Sequence, residues 1–145
     1  MNTNTFKSIG AVLAGMITGA ALSIGTDTIL ETTGVFPNFE EVSKYGFNTP
    51  WMLTLALFYR SIYTVAGGYI TAILAPNRPI RHAVILGIIG VVVSTLGAFV
   101  AWELSPAWYP IALILIALPC VWLGAKLYEL RISAKNSQKG LAAKN

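Results

Sequence analysis

The stretch WMLTLALFYRSIYTVAGGYITAILA, residues 51–75, decides the fold, because its length and apolar character are those of a membrane-crossing helix. Arg60 lies about 14 Å along such a helix, close to the middle of a hydrocarbon layer of ~30 Å. A charge at that depth is costly and needs a counter-charge or a water-filled cavity. The turn PNRPIRH, residues 76–82, then ends the helix with prolines and basic groups that favour water. The stretch therefore predicts a membrane helix that carries a buried charge.

The composition is that of a membrane protein and leaves few kinds of catalytic site open. Hydrophobic residues make up 55% of the 145 positions, charged residues 11%, and the mean hydropathy is +0.66. A single cysteine, Cys120, excludes an intramolecular disulfide, and a single histidine, His82, excludes a multi-histidine metal site. We find no nucleotide-binding or hydrolase motif, so we expect no cofactor and no bound metal, and an enzymatic role is left open but not favoured. The basic residues border apolar segments, so we do not expect nucleic acid as a partner.

Hydropathy predicts a single all-α domain over residues 1–130, a bundle of four transmembrane helices in contact with the lipid bilayer. Prolines, glycines and charges separate the four predicted spans, which cover about 8–30, 51–75, 83–104 and 107–130. A cleaved signal peptide is the alternative interpretation of the first span, although that apolar stretch is long for one. The remaining segment, 131–145, is basic and poor in apolar residues, which predicts a disordered cytoplasmic tail.

Residues 31–50 form the longest connection between spans, and they contain signals for a short helix. Asn38 followed by Glu41 has the spacing of a capping box, and Gly46 is a natural stop. These signals predict about two helical turns over 39–45. The aromatic residues of this connection suit the membrane–water interface or a cover over the end of the bundle.

Small residues recur along the predicted spans at intervals that let helices approach each other closely. The first span holds a GxxxG pair and the third a stripe that predicts a closely packed central helix. We expect helix packing at Gly15, Gly19, Gly67, Gly87, Gly90 and Gly97.

The charges indicate an orientation for this topology. Alternating the connections between the two sides places eight of the ten positive charges together: Lys7, Arg78, Arg81, Lys126, Arg131, Lys135, Lys139 and Lys144. Only Lys44 falls on the other side, where most of the acidic residues also gather. The positive-inside rule then predicts that both termini lie in the cytoplasm.

Arg60 is the one residue that points to a functional site, and in this topology two acids approach it from the same side. Asp27 is the first candidate for its counter-charge and Glu103 the second, with hydrogen bonds expected from Tyr59, Tyr63 and Thr64. Three interpretations remain open: a pocket for a small polar or anionic molecule, a structural ion pair, and an unpaired arginine that reaches the interface.

Two segments carry a resemblance to known proteins: YRSIYTVAGGYITAILAPNRPIRHAVILGIIG (59–90) and AWYPIALILIALPCVWLG (107–124). They resemble an uncharacterised family of small bacterial four-helix inner-membrane proteins. The resemblance implies a bacterial inner-membrane location and four helices, and it brings no activity or catalytic residue. From the charge of Arg60 within the bundle, we expect a protein that binds or transports a small polar or anionic molecule near this residue. The alternative is an accessory subunit whose glycine-rich faces pack against another membrane protein or a second copy.

Overall fold

The computed structural model describes residues 3–142, and its regular elements in that range are all helices. The prediction of an all-α protein is therefore confirmed. In chain order the helices are α1 (Thr3–Thr32), α2 (Phe39–Tyr45), α3 (Pro50–Leu74), α4 (Pro79–Val100) and α5 (Trp108–Ala142). A short 3₁₀ turn, Trp102–Leu104, lies between α4 and α5.

Three helices, α1, α4 and α5, are long and apolar enough to cross a membrane. Large apolar side chains are exposed along their outer faces, as at Ile24, Phe99 and Leu115, and such surfaces are compatible with contact to lipid. These are the features of a multi-pass membrane protein. α3 is not among these three helices, and its apolar stretch is interrupted by Arg60 and three tyrosines.

The centre of the bundle is α3, which packs against α1, α4 and α5 and shares its most extensive interface with α5. The sequence favoured α4 as the central helix, and that expectation is wrong. The glycine stripe of α4 is packed only in its first half. Around Gly97 the space is open, with no atom within 4 Å of where a side chain would begin.

Glycines allow the backbones of α3 and its neighbours to touch. A Cβ atom added to Gly67 would lie 2.7 Å from the carbonyl oxygen of Gly15, and one added to Gly68 would overlap Val121. Gly124 approaches α3 equally closely at Val65. Main-chain groups in such contacts leave no room for a methyl group. The α3–α5 interface is therefore sealed by two glycines that the sequence did not single out, Gly68 and Gly124.

The predicted packing glycines fall into three groups. Gly15, Gly67 and Gly87 are buried in tight contacts, Gly87 against Leu118 of α5. Gly19 and Gly90 have only ordinary van der Waals neighbours, at 3.5 Å and 3.8 Å. No other helix packs against Gly97 within the described residues, so packing at this position stays a prediction that requires a partner.

The short helix of the 31–50 connection forms as predicted. The Glu41 N–H donates to Asn38 Oδ1 at 3.0 Å, and the Asn38 N–H donates to Glu41 Oε2 at 3.1 Å, which completes the capping box. Gly46 ends α2 with φ 73°. The next residue, Phe47, donates its N–H to the carbonyl oxygen of Leu104 at 2.5 Å. This bond fastens the α2 connection to the α4–α5 connection, across one end of the bundle.

The predicted disordered tail is helical as far as the structure describes it. α5 continues without a break through residues 131–142, and residues 143–145 lie outside the described range. Extending an existing helix adds one hydrogen bond per residue without a new nucleus, and this segment contains no proline. Arg131 also donates from Nη1 to the hydroxyl of Tyr69 at 2.6 Å, which ties the extension to α3. Low apolar content was therefore a poor guide to disorder here.

Candidate functional site

An ion pair joins α1 to α3 near the end of the bundle that α2 covers. Arg60 donates from Nη2 to Oδ2 of Asp27 at 2.5 Å, and the hydroxyl of Tyr59 donates to Oδ1 of the same carboxylate. Tyr59 and Arg60 are consecutive on α3, so they lie about 100° apart around the helix and reach the carboxylate from two directions. The structure thus brings together the two residues that the sequence suggested as partners, with Tyr59 beside them.

The ion pair is only partly shielded from solvent. The Arg60 side chain is 34% exposed and that of Asp27 is 24% exposed. The Nε atom of Arg60 is buried and has no hydrogen-bond partner among the described residues. The exposed part of the Arg60 side chain therefore consists of atoms other than Nε. A buried donor without a partner costs free energy, so the chain by itself does not satisfy this guanidinium.

The other expected hydrogen-bonding residues do not reach the ion pair. Tyr63 shares a hydrogen bond of 2.8 Å with the hydroxyl of Thr26, the residue before Asp27. Thr64 donates to the backbone carbonyl oxygen of Arg60 at 2.7 Å, within its own helix. Tyr63 therefore links α1 and α3 next to the pair, and Thr64 only lines the space beside it.

Glu103, the second candidate for a counter-charge, lies away from Arg60. The helix α4 ends at Val100, and Glu103 follows it in the 3₁₀ turn with an exposed side chain. No salt bridge to Glu103 is present within residues 3–142. Because α4 ends before Glu103, the carboxylate lies in an exposed turn and not on the helix that borders the site.

No family model, curated protein or solved structure matches this chain.

A cleft of about 360 Å³ extends from the ion pair into the bundle, and we call it the central cleft. It lies between α1 on one side and α4 and α5 on the other, with α3 behind it. Arg60 and Asp27 line one end, and small residues make up much of the rest. The lining residues that the following sections use are Met16, Ser23, Ile24, Asp27, Arg60, Thr64, Leu86, Gly90, Ser94 and Val121.

A second cavity, of about 190 Å³, lies beneath α2 next to the ion pair, and we call it the α2 cavity. Its walls include Phe36, Phe39 and Phe47 from the α2 connection. Arg60 and Asp27 line this cavity as well as the central cleft. The charged groups of the ion pair therefore lie where a molecule in either cavity would meet them.

Several residues around the pair were not expected from the sequence. Phe36 is buried against Tyr59, with ring centroids 6.5 Å apart, and Tyr109 of α5 packs on the same cluster. Ser23 and Ser94 face the central cleft from opposite helices. An aromatic residue near a membrane end is usually an interfacial anchor, so Tyr109 carried no signal of its own. For the contact between Thr26 and Tyr63, the sequence offered one signal, which is that Thr26 precedes Asp27.

The site offers hydrogen bonds and a neutralised charge pair. Among residues 3–142 there is no group of three or more histidine, cysteine, aspartate or glutamate side chains that could hold a metal ion. The carboxylate of Asp27 accepts from Tyr59 and Arg60, so it is already engaged. Such an arrangement suits recognition of polar groups more than proton abstraction or nucleophilic attack.

Proposed function

We propose that the chain is a bacterial inner-membrane protein in which α1, α3, α4 and α5 all cross the membrane, with both termini in the cytoplasm. α3 has 25 residues and is about 37 Å long, which is sufficient to span the hydrocarbon layer. Its position among three apolar helices compensates for its polar residues, because they face protein instead of lipid. The clustering of basic residues at one end of the bundle supports the orientation.

Within this bundle we propose a binding site for a small polar molecule at the Arg60–Asp27 pair. One observation carries the proposal: both side chains remain partly accessible, and both line the central cleft and the α2 cavity. A purely structural ion pair would be expected to be enclosed by packed side chains.

The pairing favours a neutral polar ligand over an anion. Asp27 compensates the charge of Arg60 at a distance of 2.5 Å, so an incoming anion would meet a carboxylate as well as a guanidinium. A molecule with both donor and acceptor groups can bond to either partner without this repulsion.

The test is a thermal-unfolding screen of the purified protein with glycerol, acetamide, acetate and inorganic phosphate, each at millimolar concentration. We expect the neutral compounds to raise the unfolding temperature of the wild type and to lose this effect in Arg60→Gln and Asp27→Asn. Glu103→Gln is the matched control, because it removes an exposed carboxylate outside both cavities. Failure of every compound to stabilise the wild type, or equal stabilisation of all variants, would contradict the proposal.

The alternative function, an accessory subunit that binds another membrane protein through glycine-rich faces, has less support. Gly15, Gly67 and Gly87 already pack within the chain, and Gly90 lines the central cleft. Of the six glycines expected to pack, Gly97 is the one with open space around it within residues 3–142, where a partner helix or a second copy could bind. Under this alternative, Gly97→Leu would abolish co-purification of a partner in mild detergent.

A further inference from the structure

The central cleft is polar at one end and apolar at the other. Its polar side chains lie toward the end covered by α2, and they are Ser23, Asp27, Arg60, Thr64 and Ser94. Farther from α2 the walls consist of glycine and apolar side chains, among them Met16, Leu86 and Val121. Water is poorly held in an apolar cavity, because it needs two or more polar partners. The far half of the cleft therefore suits hydrocarbon.

The dimensions of the cleft select the size of its occupant. Ser94 and Leu86 are eight residues apart on α4, a distance of about 12 Å along the helix axis. A hydrocarbon chain of medium length has a similar extent, so a single extended chain lying along the helix axis matches the length of the cleft.

The rim of the cleft on α1 is apolar and accessible. Met16 and Ile24 line the cleft and are 39% and 64% exposed. α1 packs mainly on α3, and α4 packs mainly on α5, whereas α1 and α4 make few contacts with each other. The cleft lies between α1 and α4, where this contact is sparse. In a four-span arrangement this rim faces the acyl chains, and an apolar molecule can enter sideways without crossing water.

We propose that the ligand is a neutral amphiphile whose polar head binds at the Arg60–Asp27 pair and whose hydrocarbon chain lies in the central cleft. This inference rests on the proposed function and adds the chemical class of the ligand. The head belongs at the pair because the polar side chains of the cleft gather there. It is neutral because Asp27 already balances Arg60. The chain occupies the half that offers no polar partner.

The experiment uses a monoacylglycerol of medium chain length with a photoreactive diazirine at the end of its chain. The full-length protein is labelled in phosphatidylcholine nanodiscs, and the labelled residues are identified by mass spectrometry. We expect labelling on α4 and α5 around Leu86 and Val121, and competition by the same lipid without the diazirine. A fatty acid of equal chain length should label these positions several-fold less.

Two leucine substitutions on α4 test whether the chain occupies the cleft. Gly90→Leu places a side chain inside the cleft, and Gly97→Leu places the same side chain in open space outside it. We expect Gly90→Leu to abolish labelling near Val121 and Gly97→Leu to leave it unchanged. Labelling spread over outward-facing residues such as Phe99 and Leu115, or equal labelling in the two variants, would overturn the inference.

The head contact is tested separately, so that the two proposals can fail independently. If Arg60→Gln leaves labelling in the cleft intact, the chain binds there but the head does not use the pair, which contradicts the proposed function. If glycerol stabilises the wild type while the monoacylglycerol labels no residue of the cleft, the polar site stands and the amphiphile is excluded. Loss of cleft labelling in both Arg60→Gln and Gly90→Leu supports both proposals.

Discussion

Two interfaces of α3 show opposite uses of small residues. Against α5, Gly68 and Gly124 bring the two backbones into direct contact and leave no space. On the other side of the bundle, Gly19 and Gly90 face a cleft that no side chain fills. Both regions are rich in glycine and alanine, yet only one is closely packed. Small residues therefore permit close approach of two helices without enforcing it. Whether a closely packed interface or a cavity results depends on the arrangement of the neighbouring helices.

The largest expected effect comes from breaking the sealed interface. In Gly68→Ala, the added methyl group would overlap the backbone of Val121, which cannot move without displacing α5. We expect a loss of about 3 kcal/mol in unfolding free energy, measured by denaturant unfolding in detergent micelles. Gly19→Ala is the control on the cleft side, where a methyl group meets only an atom at 3.5 Å. Equal stability of the two variants would show that the α3–α5 contact is not as close as described.

The second effect concerns the ion pair at the polar end of the cleft. Asp27→Asn or Arg60→Gln leaves one partly buried charge without its partner, and we expect each to cost about 2 kcal/mol, less than a fully buried pair because water still reaches the site. The double variant removes both charges and should recover at least half of that loss.

Thermal unfolding of the four proteins in nanodiscs measures this coupling. Additive losses in the double variant would mean that the two side chains do not interact. If the double variant fully recovers its stability but is no longer stabilised by glycerol, the pair has a role in binding that is separate from its role in stability.

A smaller effect is expected beside the pair, where Tyr63 and Thr26 hold α1 against α3. Tyr63→Phe removes a hydrogen bond of 2.8 Å and should cost about 1 kcal/mol. Thr26→Val should cost a similar amount, and the double variant should be no worse than either single variant. A double loss equal to the sum would indicate that the two hydroxyls are held by other groups.

The smallest effect is expected at Gly97, which neither seals an interface nor lines the cleft. Gly97→Ala should raise the unfolding free energy by about 0.5 kcal/mol, because the added methyl group meets open space and alanine favours a helix over glycine. Thermal unfolding in detergent is sufficient to measure it. A large loss would reveal a contact made by this face of α4, as a partner helix or second copy would make.

Local signals in the sequence predicted the local structure well. The Asn38–Glu41 capping box and the stop at Gly46 placed α2 correctly, because caps depend on residues three or four positions apart. The partnership of Arg60 with Asp27 also followed from the sequence, because an arginine within an apolar span needs a nearby acid.

Features that depend on the relative position of helices could not be derived in this way. The contact of Gly68 with Val121 and the burial of Phe36 against Tyr59 join residues far apart in the chain. No periodicity within one helix records which face a neighbour will cover. The same holds for the cleft, which exists because α1 and the α4–α5 pair stay apart, and for Glu103, which the early end of α4 removes from the site.

The continuous course of α5 has a mechanical consequence. With 35 residues the helix is about 52 Å long, which exceeds a bilayer core of ~30 Å by some 20 Å. Its final turns therefore form a stiff spacer beyond the bundle, anchored where Arg131 bonds to Tyr69. Any tilting of α5 within the membrane would be transmitted along this rod and enlarged at its tip, about 16 Å past that anchor. A fluorophore placed near Ala142 would report such motion from outside the bilayer.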